Sequence, residues 1–168
     1  MKKLVLVLLL TFVASNLFAA GGVAFIDLQK ALSLSDAGVK AKADIGQQVK
    51  KYEAKISTEQ EALKEMKKEL DKQAVLLSDE ARSKKEREFQ QRAKEFQRFT
   101  KDVQDELRQK DSDMSKRIIE EILEVTRKLG KEKGYSIVFE LSNSGLIYVD
   151  EKVDLTDEVI KAYNASKK

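Results

Sequence analysis

Any chemistry done by this chain falls to lysine, serine and carboxylate side chains, because it contains neither histidine nor cysteine. That removes thiol nucleophiles, histidine-based triads, ordinary zinc and haem sites, and histidine switching near neutral pH. A serine–lysine dyad or a carboxylate pair could still be assembled from the many such residues present. Their positions, however, follow the spacing of a helix surface, which reads as a solvated face. Gly130 and Gly134 follow a helical stretch rather than a strand, the wrong order for a nucleotide-binding loop. The chain reads as a non-enzyme without metal or cofactor.

The charged residues carry a different message. Lys and Arg number 32 against 29 Asp and Glu, a formal charge of +3. Residues 64–98 hold eleven of the basic residues and eight of the acidic ones, with Lys84, Lys85 and Arg87 nearly adjacent. Such a local excess attracts anionic lipid headgroups or acidic protein segments, although each charge taken singly is also what a solvated coiled-coil surface carries. The excess is too weak for nucleic acid, which needs a concentrated positive field.

These residues lie in a proline-free stretch, 39–114, that reads as two long helices. Ile45, Val49, Tyr52, Ile56, Glu59, Leu63, Met66, Leu70, Gln73 and Leu77 follow one another at spacings of four and three. The same rhythm runs from Arg82 through Glu86, Phe89, Ala93, Phe96, Thr100, Val103, Leu107 and Lys110 to Met114. This is a heptad seam in two phases. One unbroken helix would put a charged or polar group at every seam position of the second half, so the chain must reverse. Ser78, followed by Asp79 and Glu80, supplies an N-cap and a first turn of acids, which places the tip near 78–81. Reversal there sets Leu70 opposite Phe89, Leu63 opposite Phe96, Ile56 opposite Val103 and Ile45 opposite Met114. The polar exceptions then mostly coincide, Glu59 with Thr100 and Gln73 with Glu86, while two pairs dissent, Val49 with Lys110 and Leu77 with Arg82. Each arm of this antiparallel hairpin is about 50 Å long at 1.5 Å per residue.

Residues 1–19 read as a secretory signal peptide: a basic start at Lys2 and Lys3, an apolar run from Leu4 to Ala14, and a polar break ending at Ala19. Its removal leaves a soluble exported chain, residues 20–168, with a net charge of +1 once Lys2 and Lys3 are subtracted from +3. The remaining parts, 20–38 and 115–168, form a small body. Val23 to Ile26 reads as a strand, Asp27 as the cap of a short helix, Tyr135 to Leu141 as a second strand, and Leu146 to Val149 as a third that closes a β-hairpin. Gly130 and Gly134 end the long return helix, and Asp154-Leu155-Thr156-Asp157-Glu158 opens a last helix carrying Val159, Ile160 and Tyr163. The fold class is therefore α+β: a long antiparallel helical hairpin on a small β body. A body of about 70 residues is marginal alone and its strands leave open edges, so it should pool strands with other chains. Val23, Phe25, Ile137, Phe139, Leu146 and Tyr148 are the candidates for that contact.

The order of parts resembles the Skp/OmpH family of periplasmic chaperones. The resemblance rests on the signal peptide, the stretch Val23-Ala24-Phe25-Ile26-Asp27-Leu28-Gln29-Lys30-Ala31-Leu32, the charged hairpin, Gly134-Tyr135-Ser136-Ile137-Val138 and Asp154-Leu155-Thr156-Asp157-Glu158-Val159. It implies a homotrimer whose helical arms enclose a cavity for unfolded outer-membrane proteins in the periplasm, with lipopolysaccharide or anionic lipid as a further partner at the arm tips. Members of that family are often strongly basic, whereas this mature chain is nearly neutral. A holdase of this kind works without ATP through many weak, adaptable contacts, for which Met66, Phe96 and Phe99 are well placed as client contacts. The alternative is an exported coiled-coil scaffold of the cell envelope that holds no client.

Overall fold

The structure, a computed structural model, describes residues 21–73 and 75–167, so the expected signal peptide lies outside the described residues. In chain order the elements are β1 (Gly22–Ile26), α1 (Leu28–Leu34), α2 (Asp36–Gln73), α3 (Asp79–Glu132), β2 (Tyr135–Glu140), a 3-10 turn (Glu151–Val153) and α4 (Thr156–Ser166). Two compact units result: one is Gly38–Arg117, the hairpin, and the other comprises the segments up to Ala37 and from Ile118. The architecture is the α+β one expected, with two long helices and a small strand pair.

The strand pairing differs from expectation. β2 does not form a hairpin with Leu146–Val149 but lies parallel to β1, in a register that sets Val23 against Ile137, Ala24 against Val138 and Phe25 against Phe139. β1 is the central strand, with Ala24, Phe25 and Ile26 all buried and both edges used. β2 takes one edge. The other accepts the segment before α4, where Asp154 bridges Phe25 and the Leu155 amide donates to the Phe25 carbonyl at 2.9 Å. Beyond β2 the chain is pulled into a local turn in which the Glu140 carboxylate accepts from the Ser142 and Asn143 amides at 3.1 and 2.8 Å. Leu146, Ile147 and Tyr148 consequently stay outside any strand and exposed.

One face of the strand pair meets the last turns of α3. Ile26, Val138, Leu123, Thr126 and Gly130 line a common cleft. Gly130 was expected to end the helix, yet α3 continues through it to Glu132. Its lack of a side chain serves packing instead, since a Cβ there would sit 3.3 Å from Val138 Cγ2. The helix stops at Gly134, whose φ of 74° is the left-handed conformation that favours glycine at a helix C-terminus.

The two ends of the chain are clasped together. Asp27 turns its carboxylate to the Lys30 amide, 2.8 Å away, and so caps α1. Its own amide donates to Thr156 Oγ1 at 2.9 Å, and the Thr156 amide donates to Asp154 Oδ1 at 2.7 Å. Lys30 meets Asp157 at 2.7 Å, and Asp157 raises the lysine's pKa, mainly by accepting its hydrogen bond. Beneath these polar links lie Ala31, Leu155, Val159 and Tyr163, all fully buried. Tyr163 donates through its hydroxyl to Glu121 of α3 at 2.6 Å, so α4 is tied to both.

Thr156 is completely buried. Thr156→Val keeps its shape but removes the acceptor for the Asp27 amide, and should lower unfolding stability in urea by about 1–3 kcal/mol, the cost of a buried unsatisfied donor. Lys30→Met, at a solvent-exposed ion pair, should cost much less.

Candidate functional site

The arm helices meet along the seam that the heptads define. Leu70 and Val103 are buried, and Ile45, Val49, Ile56, Leu63, Phe89 and Leu107 are half-buried. The reversal, however, comes earlier than 78–81. α2 ends at Gln73, whose carbonyl accepts from the Leu76 and Leu77 amides at 2.9 and 3.1 Å. Ser78 is the cap of α3, with its Oγ 3.3 Å from the Ala81 amide. A capping residue opens a helix, so the turn has to be complete before it.

An earlier turn changes the pairing of the arms. Tyr52 is bracketed by two residues of α3 one heptad apart: its ring meets Phe99 edge-on at 6.3 Å, and its hydroxyl donates to Glu106 at 2.8 Å. Reversal near 78–81 would have set it opposite Leu107, eight residues beyond Phe99. Glu59 meets Arg92 at 3.0 Å rather than facing Thr100, and Lys85 donates to the Gln73 side chain at 2.6 Å. The Phe99 and Arg92 contacts each lie eight residues from the partner that the expected pairing assigns, about one heptad, while the longer reach of the Tyr52 hydroxyl and of Lys85 ends within one residue of it. A seam repeating every 3.5 residues is filled by either arrangement, so the turn decides between them.

Met66, Phe96 and Phe99 are brought together. With Lys55, Glu59, Glu88, Gln91, Arg92 and Glu95 they line an open groove of about 550 Å³ between the arm helices. Lys55 places its ammonium 4.5 Å from the centre of the Phe99 ring, a cation–π contact. The floor is thus apolar, and the rim carries both signs of charge. The Glu106 carboxylate, by accepting the hydrogen bond of the Tyr52 hydroxyl, raises that phenol's pKa above its usual value. Nothing in this arrangement pairs a nucleophile with a base. Among the described residues no cluster of histidine, cysteine and carboxylates has the geometry to hold a metal ion. Lys55 and Arg92 carry no periodic signal because rim and solvent positions share one spacing, and Glu59, expected on the seam, lies at the rim instead.

The tip residues are placed more loosely. Lys84 and Arg87 are exposed, Arg87 donating to Ser83 at 2.7 Å, while Lys85 is held back by Gln73. The turn itself exposes Val75 and Leu76 at 91% and 85%, an apolar pair off the seam and so not singled out by periodicity. In the body, Val23, Ile137 and Phe139 are exposed on one face of the strand pair, as are Leu146 and Tyr148 in the loop beyond it. Phe25 departs from the expected contact set: at 6% exposure it belongs to the core of its own chain, under the Asp154–Leu155 segment.

Phe99 anchors the arm more than any charge pair does. Phe99→Ala, losing the Tyr52 edge contact and the Lys55 cation, should destabilise the arm by about 1–2 kcal/mol. Arg92→Ala, at an exposed ion pair, should change it by less than about 1 kcal/mol. Hydrogen exchange of the arm amides measures both.

Comparison with known proteins follows the same lines. A family model described as outer membrane protein (OmpH-like) matches residues 22–163. An uncharacterized protein of Aquifex aeolicus (strain VF5) is 28% identical over 153 residues, 91% of each chain. A Skp-like protein of Pseudomonas aeruginosa is 25% identical over 162 residues, covering 96% of this chain and 95% of its own. The crystal structure of an OmpH-like outer membrane chaperone from Caulobacter crescentus CB15 matches with a TM-score of 0.80 at 20% identity, over 87% of this chain and 85% of that one, a likeness of fold. Because the matched span runs from β1 into α4 and so takes in both the clasped body and the hairpin, the chain belongs to the OmpH-like outer membrane protein family.

Proposed function

We propose that this protein is a periplasmic holdase that binds unfolded outer-membrane proteins between its helical arms and keeps them from aggregating until they reach the outer membrane. The observation that carries this reading is the arm groove, where Met66, Phe96 and Phe99 form an open apolar floor between rims of mixed charge. A flexible thioether and two rings offer adaptable surface to many sequences, and the shallow opening suits extended chain better than a compact ligand. Binding by such contacts is an equilibrium and needs neither nucleotide nor catalytic group. Family membership supports the client class and the periplasmic setting. No described helix is long and apolar enough to cross a membrane.

Assembly is part of the proposal. Val23, Ile137, Phe139, Leu146 and Tyr148 leave apolar surface uncovered on a small body, and burying it against two further copies in a homotrimer would enclose the arms around a client. Lys84, Lys85 and Arg87 would add long-range attraction to acidic clients or to anionic lipid and lipopolysaccharide at the tips.

Dilution of a denatured porin into buffer with the purified protein tests the central claim. Suppressed aggregation is expected, and unchanged aggregation would leave the envelope scaffold as the better reading. Replacing Met66, Phe96 and Phe99 together by serine should weaken client binding by about tenfold or more, equivalent to ~1.4 kcal/mol. Reversing Lys84, Lys85 and Arg87 to glutamate should slow capture of an acidic client and reduce its salt dependence, with affinity less affected.

A further inference from the structure

We infer that the turn at the arm tip inserts into anionic lipid bilayers, with Val75 and Leu76 entering the boundary between headgroups and acyl chains. Between Gln73 and Ser78 the chain carries Val75, Leu76 and Leu77 and none of the glycine, asparagine or aspartate that ordinarily builds a turn. Leu77 is half-buried, whereas Val75 and Leu76 are exposed at 91% and 85%, so both project from the end of the hairpin and touch almost nothing. A projection has no walls with which to enclose a small ligand, whose sites are concave. Two side chains also fall far short of the roughly 800 Å² per partner that a stable protein interface buries, which disfavours a second copy or a folded partner. A bilayer is fluid and closes around a convex apolar point by itself.

The charge around the turn fits the same surface. Lys72, in the last turn of α2, and Lys84 on α3 are exposed, and among the described residues neither has a carboxylate partner. Arg87 is exposed as well and donates to the neutral Ser83 hydroxyl. Lys84 lies five residues and Arg87 eight residues beyond Asp79, about 7 and 12 Å along the helix axis at 1.5 Å per residue. Apolar groups at a membrane surface sink about 5–10 Å, a depth that brings these cations level with the lipid phosphates. Over residues 64–98 the eleven basic residues exceed the eight acidic ones by three. Asp79 and Glu80 stand beside the apolar pair and oppose the approach, so these two carboxylates limit the affinity. The inference deepens the lipid contact proposed for Lys84, Lys85 and Arg87 and rests on that reading of the tip. What it adds is insertion, which charge alone does not produce, and it requires neither a client nor a trimer.

Because the chain has no cysteine, Leu76→Cys takes a single environment-sensitive fluorophore, and Gln97→Cys carries the same label farther down the arm as a control. The probe is phosphatidylcholine vesicles with or without phosphatidylglycerol, one set brominated on the acyl chains so that only an inserted fluorophore is quenched. The label at 76 should shift to the blue and be quenched on phosphatidylglycerol vesicles, and the label at 97 should do neither. Without label, V75S/L76S should bind these vesicles about tenfold less tightly, since two apolar side chains no longer leave water. K72E/K84E should lose the preference for phosphatidylglycerol, and D79N/E80Q should bind about fivefold more tightly. Circular dichroism verifies that each variant is folded. A label at 76 that stays in water on phosphatidylglycerol vesicles overturns the proposal, as does V75S/L76S binding as tightly as the parent chain. So does a blue shift that needs no vesicles and grows with protein concentration, the sign of tips pairing between copies, or one that appears only with a denatured porin. Binding that falls in K72E/K84E but not in V75S/L76S removes the insertion and leaves the electrostatic contact at the tip, while the porin aggregation assay reads the holdase separately.

Discussion

The body depends on a clasp between residues separated by nearly the whole described chain. The Phe25 carbonyl accepts from Leu155, and the Asp27 amide donates to Thr156 across a sequence separation of 129 residues. Closing a loop of that length is entropically unfavourable, and a few hydrogen bonds alone would not sustain it. The compensation comes from the apolar residues the clasp brings under cover: Ala24, Ile26, Ala31, Leu155, Val159 and Tyr163 are almost wholly buried. Polar links and core therefore need each other. The links fix which residues meet, and the burial makes the meeting stable. Once β1 is held by the segment before α4 on one edge, its other edge remains for β2, and the parallel pairing follows.

The arm obeys a different economy. Its seam buries Leu70 and Val103 and leaves most other layers half-covered, while the outer surface is held by short-range pairs such as Lys67 with Asp71 and Lys64 with Glu61. Pairs of this kind add little individually. The arm therefore has abundant helix and little packing, which allows its surface to adapt at small cost. An adaptable surface is what an open groove floored by Met66, Phe96 and Phe99 can use. The same thin seam is why the pairing of the arms is set by the turn at their end rather than by their length.

Much of this protein was readable in advance. The absence of histidine and cysteine bounded its chemistry, the heptads located both arm helices, and Asp27, Ser78 and the Asp154–Glu158 stretch marked helix starts that the structure retains. Local signals of this kind act within a few residues and so survive in the sequence. Met66 and Phe96 stand on the two heptad seams and Phe99 lies three residues beyond Phe96, so the sequence sets the two rings one helical turn apart on α3. Their common groove, with Lys55 over one ring and Arg92 at its edge, depends on which turns of the two helices are level.

Tertiary structure decided the rest, and in each instance through competition among partners. Leu146 to Val149 has the composition of a strand, but the Glu140 carboxylate holds the Ser142 and Asn143 amides in a local turn, and the chain beyond it runs on without pairing to β2. Gly130 has the look of a helix stop, but a residue without Cβ is also the one that lets Val138 approach a continuing helix. Phe25 looked available to another chain until the distant Asp154–Leu155 segment covered it. The arm register was ambiguous because a heptad seam is filled again by a displacement of seven residues, and the position of the Ser78 cap relative to Gln73 distinguishes the two. Periodicity and capping are properties of neighbouring residues, so the sequence alone determines them; edge occupancy, close approach and register belong to residues far apart in the chain, and only the fold brings those together.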